Sequence, residues 1–180
     1  AVGSSAAGAQ LAIYFFNGIG LWPVAGATAN YGAAVNSIAW SENGVTIAAG
    51  GSYADNGNKV RTYTFNGTSL AAVGTPPNYQ AEINSLLWTP DGKHVIVGGN
   101  RQNWHIAAYQ FDGSGLTLST SAEYYPTTKT ITTSMGTTIT MTDYSITATI
   151  YSMAFAPDGR TLAVAGTADS KVLKLFSFNQ

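Results

Sequence analysis

The residues able to do chemistry are few and scattered. Asp91, Asp112 and Asp158, with His94 and His105, are the side chains whose types suit acid–base work or metal ligation. A catalytic carboxylate pair needs two acids gathered in one place. These aspartates instead stand in Pro90-Asp91-Gly92, Asp112-Gly113 and Pro157-Asp158-Gly159, where a short acidic side chain hydrogen-bonds neighbouring backbone and stabilises a tight turn. His94 follows a turn and His105 opens a strand; their spacing matches no local metal motif, and both read as surface or edge residues. Asp55-Asn56-Gly57-Asn58 concentrates oxygen ligands but lacks the later bidentate Glu of a calcium loop. Ser37, Ser85 and Ser152 recur at one position of a repeat, which argues for packing rather than for a nucleophile, and no Gly-x-Ser-x-Gly elbow exists. The sequence therefore predicts no catalytic, metal-binding or cofactor-binding residues.

Composition agrees. Of 180 residues, 9% are charged and 45% are hydrophobic, so the chain packs a core but has little surface charge. Eight Lys and Arg against nine Asp and Glu leave a net charge of −1, which gathers neither nucleic acid nor an anionic membrane surface. Apolar runs are too short and too broken by Gly and Asn to insert as a membrane span, and the first residues lack a signal-peptide pattern. With no cysteine, disulfides and thiol chemistry are excluded.

What positions these residues is a repeat. VNSIAWSENGVTIAAGG from Val35, INSLLWTPDGKHVIVGG from Ile83 and IYSMAFAPDGRTLAVAG from Ile150 each read as an alternating strand ending in an aromatic (Trp40, Trp88, Phe155), a turn closing on Gly, and a second strand running into small residues. A third strand follows from Val60, Ile106 and Val172. Asn66-Gly67 and Asp112-Gly113 then signal a hairpin into a fourth strand near Leu70–Val73 and Leu116–Leu118. Asn66-Gly67-Thr68 also satisfies the N-glycosylation sequon, inside a turn that favours Asn-Gly for its own reasons. Leu11 to Val24 matches the third and fourth strands of a first unit that lacks its opening strand. Phe16, Phe65, Phe111 and Phe178 hold one repeat position, and subtraction gives separations of 49, 46 and 67. The first two fit a propeller-blade period of roughly 40–50 residues, and the third carries an insertion of about 20.

The predicted fold is all-β, a propeller of four-stranded antiparallel blades: residues 1–34 (incomplete), 35–82, 83–149 and 150–180. The insertion, about 119–149, is Thr- and Ile-rich with a Met135-Gly136 pair; it reads as an extra hairpin on the third blade, with a low-complexity surface loop as the alternative.

IYSMAFAPDGRTLAVAGTADSKVLKLFSF resembles the WD-repeat pattern, and the chain is similar to WD-repeat or TolB-type propellers. The resemblance implies protein binding. Asp169 stands where that family's structural Asp lies, whereas Ala7, Asn56 and Gln102 occupy the matching places; the Gly-His pair is absent, and Tyr63-Thr64-Phe65 and its equivalents replace Trp-Asp. The family's buried polar network is therefore not expected in its usual form.

Strand aromatics are consumed by packing between blades, which leaves the loop aromatics Tyr53, Tyr79, Trp104, Tyr124 and Tyr125 as a possible binding rim. A blade has two apolar faces and is stable only when stacked. The expected function is a non-enzymatic scaffold or protein-binding module whose partners are the remaining blades of a larger propeller or copies of itself. The alternative is a structural subunit of an extracellular or surface filament assembled through open blade edges. An extracellular or cell-surface location is expected from the low charge, with an intracellular scaffold as the alternative.

Overall fold

A computed structural model describes residues 1–5, 8–52, 60–100, 105–121, 129–132, 138–141, 149–167 and 173–179. Among them the regular structure is entirely β-strand: β1 (Val2–Gly3), β2 (Leu11–Phe16), β3 (Leu21–Ala29), β4 (Val35–Trp40), β5 (Thr46–Gly51), β6 (Arg61–Phe65), β7 (Leu70–Val73), β8 (Ile83–Trp88), β9 (His94–Gly99), β10 (Ile106–Phe111), β11 (Leu116–Ser121), β12 (Lys129–Thr132), β13 (Thr138–Met141), β14 (Thr149–Phe155), β15 (Thr161–Thr167) and β16 (Leu173–Asn179). They form four antiparallel sheets in the orders β1-β2-β3, β4-β5-β6-β7, β8-β9-β10-β11 and β12-β13-β16-β15-β14. These are the blades of a propeller, as the repeat predicted, and the first sheet holds three strands.

Turn chemistry sets the register. Ser41, Thr89 and Ala156 begin equivalent turns in which Gly44, Gly92 and Gly159 adopt φ of +68°, +67° and +66°, a conformation that a side chain resists. In the first two, Ser41 Oγ and Thr89 Oγ1 accept from the backbone N–H of Thr46 and His94, at 3.1 and 3.0 Å. Asp91 and Asp158 accept from the backbone two residues on, at 3.0 and 2.8 Å, which is the turn role expected of them. At the outer hairpins the Asn and Asp stand one place earlier than a central Asn-Gly pair would. Phe65 pairs with Leu70, and Asn66 Oδ1 accepts from the N–H groups of Thr68 and Ser69 at 3.0 and 2.8 Å; Asp112 does the same for Ser114 and Gly115.

β5 and β9 are buried along their whole length, because each has a strand on both sides and a blade on both faces. The core is thus divided among the junctions. Leu11, Ile13 and Ala27 meet Val35, Ile47 and Tyr63; Ala48 and Val60 meet Leu86, Trp88 and Tyr109; Ile96, Ile106 and Ala108 meet Ile150, Met153 and Leu162.

The Thr-rich hairpin forms, but not on the third blade. β12 pairs with β13, and β13 pairs with β16 of the fourth blade, Ile139 opposite Phe178. The third blade already has its fourth strand in β11, which runs to Ser121, three residues beyond the expected Leu118; in the fourth blade β13 takes that place beside β16. An unpaired strand edge takes a strand able to satisfy it. The Met135-Gly136 turn lies outside the described residues.

Candidate functional site

The acid–base and metal readings find no support among the described residues. No group of three or more His, Cys, Asp or Glu could hold a metal ion there, and no helix is long and apolar enough to cross a membrane. Asp112 is fully exposed, and hydrogen bonds from the side chain and backbone of Ser114 hold its carboxyl below the usual range.

Both histidines, expected at the surface or an edge, are buried instead. The carbonyl of His105 accepts from Gly99 N–H at 3.0 Å and from the Tyr79 hydroxyl at 2.8 Å. Tyr79 is fully buried, so it is a core residue and not part of a rim; it and Tyr31 both stand four residues before a blade's first residue, Ile83 or Val35. That matching spacing could have identified them in the sequence. Tyr53, Trp104, Tyr124 and Tyr125 lie outside the described residues, as do Ala7, Asn56, Gln102 and Asp169. Burial of Tyr31 pushes its phenol far above the ordinary value, although Arg61 lies 5.6 Å from its ring.

His94 occupies the register position of Thr46 and Thr161. Burial, which disfavours the imidazolium, lowers its pKa from the ordinary 6.5, partly opposed by Asp91. In the unfolded chain the same imidazole protonates near 6.5, so below that pH the unfolded state binds more protons and stability falls with acidification. The urea midpoint is expected to drop between about pH 7.5 and about pH 5, and His94→Thr is expected to shrink that drop. An unchanged drop in the variant would assign the acid sensitivity elsewhere.

The repeat positions pair as aromatics should. Trp40 meets Phe65 edge-on at 5.8 Å and Trp88 meets Phe111 at 5.3 Å. Phe155 packs against the third junction's cluster. Phe16 is 62% exposed. Phe178 is placed through its backbone alone, opposite Ile139.

Each complete junction also carries a polar ladder that sequence reading missed. Asn36 Nδ2 donates to the carbonyl of Ile83 at 3.2 Å, and Asn84 Nδ2 donates to that of Ile150 at 2.9 Å. Ser37 Oγ accepts from Leu86 N–H at 2.9 Å, and Ser85 Oγ accepts from Met153 N–H at 3.1 Å. The recurring Ser is thus a bond between blades, and the Asn-Ser pair at matching places was its signal. Ser85→Ala leaves the Met153 amide without its acceptor in a buried site, with an expected cost of about 1–3 kcal/mol in chemical denaturation. Faster hydrogen exchange at Met153 is the local check.

The two ends of the arc lack such partners. Leu173 and Leu175 are 63% and 68% exposed, whereas Leu11, Ile13, Val60, Thr62, Ile106 and Ala108, at the matching places of the other blades, are buried. At the opposite end Tyr14 and Phe16 are exposed, whereas Tyr63 and Tyr109 are buried.

Residues 136–177 match the family profile "WD domain, G-beta repeat", a span that runs from just before β13 into β16. Among solved structures, a chain of the mitotic checkpoint complex crystal structure superposes with a TM-score of 0.60 at 22% identity, covering 87% of this chain and 41% of that one. The chain therefore spans about two fifths of that chain's length. No curated protein matches. The comparisons agree with the sheets in one fold, a β-propeller, and residues 136–177 carry the WD-repeat match.

Proposed function

We propose that this WD-type arc is a non-catalytic scaffold that binds protein, and that it works as part of a larger propeller whose further blades cover its two end faces. The observation that carries this reading is the contrast between exposed Leu173, Leu175 and Tyr14 and their buried counterparts at the internal junctions. Apolar sheet faces of that kind are stable in water only when stacked. The scattering of titratable groups among tight turns and core strands supports a binding role over an enzymatic one. The membership of a propeller of similar fold in a multi-protein complex points the same way.

The same open faces favour a second reading, in which copies of this chain join end to end as an extracellular or surface assembly. The deciding experiment is the intact mass of the native product, combined with hydroxyl-radical labelling of Phe16, Leu173 and Leu175 in it. A mass well above 18.8 kDa with those residues protected is expected. A mass of 18.8 kDa with copies associated would give the second reading first place. An unassociated 18.8 kDa protein with all three residues labelled would overturn both.

A further inference from the structure

The fourth blade's open face differs from the three faces that already hold a neighbour. At the internal junctions the small residue on the second strand is glycine: Gly3, Gly50 and Gly98. A Cβ built on them would fall 2.6, 2.6 and 2.7 Å from Val35 Cγ1, Ile83 Cγ2 and Ile150 Cγ2, the β-branched first residues of the next blade. Carbon atoms in contact settle about 3.5–4.0 Å apart, so no methyl fits there. Register identifies the fourth position without ambiguity: Ser37 faces Gly50, Ser85 faces Gly98, and Ser152 faces Ala165. The fourth blade therefore carries the methyl that the others exclude.

A second substitution lies beside it. In each of these hairpins the residue before the Ser sits in a register shift, and it is Asn36, Asn84 and then Tyr151. The two asparagines bond the carbonyl of the next blade's first residue, whereas Tyr151 is 59% exposed and has no amide to donate. Ser152, which matches the serines that accept from the next blade's N–H, is retained and exposed.

From this we infer that the face formed by β14, β15 and β16 takes a neighbouring β-blade whose inner strand opens with a small residue, Gly, Ala or Ser, and refuses the Val or Ile starts used at the internal junctions. Ala165 is the specificity-determining residue. The inference deepens the larger-propeller reading and rests on it. It also bars the second, third and fourth blades of another copy, since all three open on β-branched residues.

The test appends a second copy of residues 76–121 to the C-terminus of the full chain, either unaltered or with Ile83→Ala in the appended copy, on parents with and without Ala165→Gly. The readout is radical labelling of Leu173 and Leu175. On the unaltered parent, the Ile83→Ala copy is expected to slow labelling several-fold and the unaltered copy to leave it unchanged. On the Ala165→Gly parent, the unaltered copy is expected to protect as well. Equal protection by both copies on the unaltered parent overturns the selectivity while leaving the larger-propeller reading intact. Protection on the Ala165→Gly parent alone also overturns it. No protection in any of the four combinations overturns the blade-junction reading and the inference together.

Discussion

Gly99→Ala is expected to destabilise the chain by about 3 kcal/mol or more, enough to unfold a marginal domain. Gly99 pairs with Ile83 beside the register shift that opens the third blade. A Cβ there would overlap the carbonyl oxygen of Glu82 and come within 3.1 Å of Tyr79 Cε1. Neither neighbour can yield easily. Glu82 is tied at its amide to Asn100 Oδ1 (3.1 Å), at its carbonyl to Asn100 N–H (3.3 Å), and at its carboxylate to Asn36 Nδ2 (3.0 Å) and Ser52 Oγ (3.2 Å). Tyr79 is held by His105. Gly92→Ala is the comparison, since its φ of +67° strains a side chain but nothing lies within 4 Å, so a cost of only about 1–2 kcal/mol is expected. Urea denaturation measures both. Equal costs would mean that the close approach at Gly99 is relieved by a backbone shift.

The second large effect is expected at Trp88, the aromatic that ends the third blade's opening strand. It is buried at the second junction, stands edge-on to Phe111, and donates from Nε1 to the carbonyl of Ala39 in the preceding blade at 3.1 Å. Trp88→Ala removes the ring and leaves a cavity between blades, for about 3–5 kcal/mol. Trp88→Phe keeps most of the apolar volume and removes the hydrogen bond across the junction, for about 1 kcal/mol plus the cost of the smaller ring. A Phe variant as damaged as the Ala variant would make the bond to Ala39, rather than packing, the dominant contribution.

Both positions were legible as repeat features but not as energies. Trp40, Trp88 and Phe155 announced themselves by recurrence at the end of an alternating strand. That Trp88 also bonds across to Ala39 depends on how far one blade is rotated against the next, and nothing local encodes that. The paired glycines at residues 50–51 and 98–99 read only as small residues ending a strand. The structure divides their work: the first of each pair admits the next blade's β-branched residue, and the second passes beneath the carbonyl of the residue just before the strand it pairs with, Ala34 or Glu82.

Taken alone, the sequence determined the blade: four strands, their turns and the period. Those features follow from period-2 alternation and from Asp, Asn, Pro and Gly at turn positions, which act over a few consecutive residues. Three matters were decided by tertiary structure. The Thr-rich hairpin joined β16, where β13 takes the fourth-strand place that β11 fills in the third blade, a pairing of segments far apart in the chain. Tyr79, His94 and His105 went inside because neighbouring strands and blades closed over them, which no local pattern of polarity reports. The Asn-Ser ladder and the glycine seats arose where two blades meet, since burial of a sheet face is a property of the pair of sheets and not of either strand alone.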